Sequence, residues 1–562
     1  MKSEISRQLS RRWRQTLASF AAICMIASVE AAPAAREAQA QLIPGPFEAS
    51  VRQGLQDTVM GSWGMSVGAQ SYRVLVRKNR TDGFEVIADN LPPTTSEVSF
   101  AAPALCDDWN YARMRVQACD GVSCRDADAP LAPIFFDYFD STKQMLHLVL
   151  PLAPNTLLGG GGLAVSPDGL TLAVGAPGAG SPGTHAPGVV HVFTRATLQE
   201  PWRLQATVQP FGTSPYAEFG KAIALSDDYL VVGAPKWLHT FNDGQKQFSG
   251  RVEIYKREGT QWLRKTGFLD ANGVTGDLYG AAVAFSADAR SLAIGVPGKT
   301  VGGTVAVGRV QVWTRNGDEW VVGGVSVSTL SVPVESGLSR TAVARFGSSL
   351  AFYPDGSKLI VGAPSRPTLL DGTAVETGAT YVYQWDPEVR HWNPIANLRA
   401  PTPTLNAKFG SSLALATDSK TLAVTAPFDD VSQANGAIAR SAGSVYVFRR
   451  SDPAWPAISE RLPSTPVEHA QFGTSVSIST ANGAMLAVGA PGEVDQGVGG
   501  TAHVFIRANS AWSEQPDHWT ASNPTTRFGE SIVVPTDARS LIVGAPLEDR
   551  ITAADAGALK VY

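Results

Sequence analysis

The chain has 562 residues, with 54 Gly, 37 Pro and a formal net charge of -4. That length allows several domains, and the Gly and Pro content suits many short strands joined by turns. The mildly acidic balance excludes the basic footprint of a nucleic-acid groove, so no nucleic-acid partner is expected.

Lys2, Arg7, Arg11, Arg12 and Arg14 precede an apolar run from Leu17 to Val29, and Ala31, Ala32, Ala34 and Ala35 follow it. A basic start, a short apolar stretch and small residues read as a secretory signal over residues 1–32. The run is too short for a comfortable membrane span. The expected mature chain therefore has no integral membrane segment and works in the periplasm, at the cell surface or outside. Ser10-Arg11-Arg12 hints at a twin-arginine signal, but Arg14 and Gln15 stand where that motif wants apolar residues, so an ordinary export signal is expected. Export means oxidising conditions, in which cysteines pair. Cys119 and Cys124 bracket an Asp-Gly turn and are the expected disulfide. Cys106 is then a free buried thiol or a competitor for one of them. No Cys/His spacing suits zinc.

Residues 48–137 contain period-two runs at Ser71–Arg77, Phe84–Ile87, Glu97–Phe100 and Tyr111–Ala118. Strands at this spacing predict a small β-sandwich with Trp63 as a core aromatic. Trp63, Tyr72-Arg73-Val74 and Tyr111 ahead of Val116 and Ala118 resemble a fibronectin type III domain. Such a module either binds a glycan or protein or serves as a spacer. Asp126–Pro133 reads as a linker, and Phe135, Phe136, Tyr138 and Phe139 as a domain-packing cluster.

From about 143 to 562 one phrase recurs with a period of about sixty residues, and such repeats decide the fold. Phe219-Gly220 leads to Gly233-Ala234-Pro235, Phe346-Gly347 to Gly362-Ala363-Pro364, Phe409-Gly410 to Thr425-Ala426-Pro427, Phe472-Gly473 to Gly489-Ala490-Pro491, and Phe528-Gly529 to Gly544-Ala545-Pro546. Tyr279-Gly280 with Gly295-Val296-Pro297 is a variant. Gly161-Gly162 with Gly175-Ala176-Pro177 reads as a degenerate first copy. Each copy predicts four strands: one from Phe-Gly, one ending at Gly-Ala-Pro, a third such as Gly443–Phe448, and a fourth near a recurring Trp (202, 262, 320, 392, 455, 512). Proline has no N–H for a ladder and is expected to stop the second strand.

Seven such units predict an all-β chain, a seven-bladed β-propeller preceded by the small sandwich. The last copy ends at Leu559–Tyr562 without a fourth strand, and Met145–Pro151 is expected to supply it and close the ring. The repeat resembles the FG-GAP family, the seven-bladed propeller of integrin α-subunits and of many exported bacterial proteins. That family often carries a calcium loop of several aspartates between the first two strands. Here those turns hold Asp168, Asp288, Asp355, Asp418, Asn482, Asp537 or the pair Asp227-Asp228. Calcium wants several converging carboxylates, so neither metal nor cofactor is expected.

Loops on a rigid scaffold are where binding usually sits. The loops after Gly-Ala-Pro offer Trp237, His239, Phe241, Asn242 and Asp243, then Asp429 and Asp430, Glu493 and Asp495, and Glu548, Asp549 and Asp555. Rings beside amides and carboxylates suit a sugar or a protein hot spot. No nucleophile elbow or paired metal histidines appear. The expectation is an exported, non-catalytic recognition or adhesion protein that binds a protein or glycan through these loops. The alternatives are a structural envelope or matrix component, or an enzyme whose site is assembled across blades.

Overall fold

The computed structural model describes residues 47–52, 58–63, 69–77, 85–95, 97–101, 113–119, 124–126, 146–148, 155–179, 186–198, 200, 202–241, 244–317, 319–320, 328–339, 342–433, 435–450, 460–463, 465–479, 485–495, 498–508, 511–515, 519–520, 525–535, 538, 540–548 and 555–561. The export signal, Cys106, Tyr111, most of the Asp126–Pro133 linker, the aromatic cluster at 135–139 and Trp455 lie outside them, as does the side chain of Trp63. Every regular element among the described residues is a β-strand, so the chain is all-β. It forms two compact units, Met1–Lys143 and Gln144–Tyr562.

The first unit holds β1 (Phe47–Arg52), β2 (Thr58–Trp63), β3 (Ser71–Arg77), β4 (Glu85–Leu91), β5 (Glu97–Ala101), β6 (Arg113–Cys119) and β7 (Cys124–Asp126). They pair as two sheets, β1-β2-β5 and β4-β3-β6-β7. Period-two alternation explains the second sheet. Tyr72 faces Ala118 and Val74 faces Val116, all four buried, while Arg73 points the other way to an exposed ion pair with Asp89 at 2.9 Å. A disulfide joins Cys119 to Cys124 across the β6–β7 hairpin.

In the second unit consecutive strands pair antiparallel in chain order, as in Ala222–Leu225, Tyr229–Ala234, Arg251–Glu258 and Gln261–Phe268. The same pattern recurs in sheets that begin at Leu163–Val165, Ala282–Phe285, Ser349–Phe352, Leu413–Leu415, Ser475–Ser479 and Ser531–Val533. These first strands touch one another in sequence, each against the next, and Ser531–Val533 returns to Leu163–Val165. The last sheet takes its fourth strand from β8 (Leu146–Leu148), which pairs with Ala558–Val561 in the register Leu148 to Leu559 and Leu146 to Val561. Antiparallel pairing satisfies backbone groups that a bare edge would leave open.

The recurring phrase has a local cause. Phe219 and Gly220 are the central pair of a turn in which Lys221 N–H donates to the Glu218 carbonyl at 3.0 Å. Gly220 has φ +93°, the third-position geometry of a type II turn, which glycine adopts at no steric cost. The turn recurs at Leu278–Ala281, Arg345–Ser348, Lys408–Ser411, Gln471–Thr474 and Arg527–Glu530. Its aromatic is fully buried in Phe219, Tyr279, Phe346, Phe409 and Phe528. Each such burial is worth about 1.5–3 kcal/mol. These rings sit between sheets, as Phe219 does among Val190 and Val192 of one sheet and Val232 and Tyr255 of the next.

The first copy is corrected by the structure. Its turn is Leu157–Gly160, with Leu158-Gly159 in the Phe-Gly place, and not Gly161-Gly162. Leu158 bridges Gly557 of the last copy, as Tyr279 bridges Gly250 and Phe409 bridges Gly378. A leucine fills the buried space here, which hid the match. Second strands end just before the proline at Ala176, Ala234, Ala363, Ala426 and Ala545. Pro491 departs from the expectation: Met485–Asp495 runs through it, with the register broken between Ala490 and Val494.

Candidate functional site

The loops that follow the second strand and those that precede Phe-Gly leave the sheets at one end, because the first and second strands are antiparallel. On this loop face the anticipated residues divide by depth. His239 and Phe241 lie on and beside a small hairpin of Leu238–Thr240 with Lys246–Phe248, their rings edge to face at 4.3 Å and half-buried. Asp430 is half-buried and accepts the Ser441 N–H at 2.8 Å. Asn242, Asp243 and Asp549 lie outside the described residues, as does the side chain of Asp495.

Trp237 and Asp429 are not at the surface, which corrects their expected role. Trp237 is 6% exposed, packed with Phe219 and Trp262, and covered by the Arg251 guanidinium 4.8 Å from its ring centre. Asp429 is 0% exposed and accepts from Thr404 Oγ1 at 2.6 Å, Tyr446 OH at 2.6 Å and Arg461 at 2.9 Å. Burial first, then the Asp429 charge, push the Tyr446 hydroxyl pKa up. Glu493 is buried beside His503, and half-buried Glu548 meets buried Lys560 at 3.2 Å.

One position explains these acids. The residue two past the proline gives its carbonyl to the glycine that opens the third strand, as Asp429 does to Gly443 and Glu548 to Gly557. The third residue after that glycine then faces it: Tyr446, His503 or Lys560. The loop is thus clamped to its own sheet by a buried polar pair, whose loss would leave an uncompensated group. A cluster on Glu335 serves the same end, accepting from Tyr381, from Arg399 at 2.6 Å and from Arg366 at 3.1 Å. Burial would raise the Glu335 pKa, but these donors hold it below the usual range.

His503 lies between two carboxylates, Nδ1 at 2.7 Å from Glu514 and Nε2 at 2.7 Å from Glu493. Burial alone would lower its pKa, yet the two acceptors raise it to about 9. His191 occupies the equivalent position beside Thr207 Oγ1 at 3.0 Å, and burial lowers it to about 4. Both are internal groups. Among the described residues no cluster of three or more His, Cys, Asp or Glu could hold a metal.

The turns that lead into the innermost strands carry charged and polar residues on the same face. Each type II turn brings its first and fourth residues together at the start of a first strand. These pairs are Glu218 with Lys221, Arg345 with Ser348, Lys408 with Ser411, Gln471 with Thr474, and Arg527 with Glu530. Lys221 Nζ crosses to the Gly160 carbonyl at 3.0 Å, which puts neighbouring turns side by side. Glu218 pairs with Lys236 at 2.7 Å, Lys408 with Glu376 at 2.8 Å, and Arg527 with Glu530 at 2.6 Å. Lys221 and Arg345 are exposed, and among the described residues neither has a carboxylate partner. The sequence expectation passed over these cations; their place beside Phe-Gly was the available signal.

No protein-family model matches the chain, and no curated protein matches it. Among solved structures it is similar to the Pseudomonas aeruginosa periplasmic gluconolactonase PpgL, at 13% identity and a TM-score of 0.39, over 81% of this chain and 99% of that one. That propeller-like protein is named as an enzyme, which runs against the non-catalytic recognition role expected from the sequence, and that expectation is withdrawn. A likeness of this depth transfers no substrate. Among the described residues no helix is long and apolar enough to cross a membrane.

Proposed function

We propose that the chain is an exported enzyme that acts on a small anionic molecule at the loop-face mouth of a closed seven-bladed propeller. In this reading the repeat is of the FG-GAP kind and the leading unit a fibronectin type III-like sandwich. The cyclic contact of first strands, the β8 pairing and the two sheets of the first unit support that architecture. Export is supported by the Cys119–Cys124 disulfide.

The observation that carries the function is the pair of exposed cations at the turn ends that have no carboxylate partner among the described residues, Lys221 and Arg345, with the ion-paired Lys408 and Arg527 in the equivalent turns. Fixed cations at such a site stabilise charge that develops on a bound anion. Glu218 and Glu530 stand at the same turn ends as proton-transfer groups. The hairpin carrying His239 and Phe241 offers an aromatic wall on the same face, and Asp430 a polar one.

The test is turnover by the purified chain on panels of anionic esters, phosphoesters and glycans, alongside calorimetry with inorganic phosphate and acetate. Turnover on one class, lost at least about tenfold in Lys221→Glu/Arg345→Glu, supports the reading; tenfold corresponds to 1.4 kcal/mol. Absence of turnover on every panel, or turnover indifferent to the charge reversal, would refute it.

A further inference from the structure

The exposed apolar side chains of the second unit are gathered on one face. Among its described residues fifteen large apolar side chains are exposed, and eleven of them stand in the loops after the second strands or before the Phe-Gly turns. Both sets of loops belong to the loop face. Leu204, Leu263 and Ile395 lie on fourth strands, and Val389 alone is at the opposite end. Single exposed apolar residues are ordinary, but their concentration on one face marks an interaction surface. Val334 is 70% exposed, Phe211 64% and Leu405 63%.

Two small hairpins show what accompanies these tips. Leu238–Thr240 pairs with Lys246–Phe248 in the second copy, and Val431–Ser432 with Ile438–Ala439 in the fifth. A two-stranded hairpin has no core of its own in which to bury an apolar side chain. Strand alternation puts residues two apart on the same side. Lys246 therefore stands beside Phe248, and Arg440, one residue past its strand, beside Ile438; all four are exposed. Among the described residues neither Lys246 nor Arg440 has a carboxylate partner. Lys221 and Arg345, in the Phe-Gly turns of the second and fourth copies, are two more such cations on this face.

The tips come from separate loops of five successive copies, the second to the sixth. A partner that conforms to dispersed apolar tips, and is negative between them, complements this set. We propose that the loop face docks on the headgroup layer of an anionic lipid bilayer, with Phe248 and Ile438 entering the layer and Lys246 and Arg440 against lipid phosphates. Aromatic rings favour that depth, the stems of Lys and Arg lie along apolar surface while their charged ends stay at the phosphates, and an anionic leaflet attracts cations held close to it. Asp371 and Glu468 are exposed on the same face, which keeps the contact shallow. This docking goes beyond the turnover proposed above. Vesicle binding reads it, and turnover of soluble substrates neither supports nor refutes it.

The full chain is to be sedimented with vesicles of phosphatidylcholine alone and of phosphatidylcholine with phosphatidylglycerol. Partition into the mixed vesicles is expected to be at least about tenfold the stronger, and to weaken as salt is raised. Phe248→Ser/Ile438→Ser should lower partition into the mixed vesicles at least about fivefold. Lys246→Glu/Arg440→Glu should abolish the preference for phosphatidylglycerol. Val389→Ser, at the opposite end, should change neither. All five positions are exposed, so the unfolding temperature is expected to stay in place. Equal partition into the two vesicles, partition into neither, or partition indifferent to both double variants would overturn the proposal. Self-association without vesicle binding, abolished by Phe248→Ser/Ile438→Ser, would also overturn it and assign the face to a second copy of the chain.

Discussion

Gly175 and Gly220 meet at the seam between consecutive sheets: a β-carbon on Gly175 would collide with the Gly220 carbonyl oxygen. Gly220 in turn donates its N–H to the Gly233 carbonyl of its own copy at 3.1 Å. The two halves of the repeated phrase are thus one contact seen from both sides. The second strand of each copy presses on the turn that starts the next. The same collision stands at Gly233 with Gly280, Gly295 with Gly347, Gly362 with Gly410, and Gly489 with Gly529.

Gly233→Ala is therefore expected to destabilise the chain by about 1–3 kcal/mol, the usual cost of overpacking a close contact. Thr425 stands at the equivalent place in the fifth copy, where its Oγ1 accepts the Ser412 N–H at 3.0 Å. Thr425→Ala should cost less than Gly233→Ala. Urea unfolding of both variants checks the order, and equal costs would mean the seam is looser than described.

The ring is closed by a strand from the start of its own unit. His147→Pro places a residue without an N–H opposite Lys560. Removal of residues 1–152 strips the strand altogether. Both changes should lower the unfolding temperature and expose the Ala558–Val561 edge, with truncation the larger effect. Calorimetric scans that leave the transition in place would show that β8 contributes nothing to closure.

The two internal histidines give stability opposite slopes with pH. His503 is raised from 6.5 to about 9, so the folded chain holds a proton that the unfolded chain releases. Its contribution is complete below pH 6.5 and is lost as pH rises through about 9. His191 is lowered from 6.5 to about 4. Its neutral state favours folding above pH 6.5, and that advantage is lost as pH falls toward 4. Stability should peak near pH 6.5, with His503→Gln flattening the alkaline limb and His191→Gln the acid one. Unfolding temperatures from pH 4 to 9 test this, and unchanged limbs in the variants would reject the assignment.

The repeat was legible in the sequence because its causes are local. Glycine sits without strain at the third position of the type II turn, and in every copy but the fifth, where Thr425 stands, glycine leaves room for the neighbouring carbonyl. So Phe-Gly and Gly-Ala-Pro recur in the letters themselves, as does the orphan strand at Leu146–Leu148 that the last copy lacks. The first copy was misread because Leu158 fills the buried space as well as phenylalanine does.

The depth of the loop residues was decided only by the tertiary structure. Asp429 and Asp430 are adjacent in the chain, yet one is fully buried against Tyr446 and Arg461 and the other caps the Ser441 N–H. Which of two neighbouring carboxylates turns inward depends on donors 17 and 32 positions away, brought close by pairing between strands. The cations of the mouth follow the same logic. Lys221, Arg345, Lys408 and Arg527 are scattered along the chain, and each stands in a turn that leads into a first strand, strands that touch one another in cyclic order.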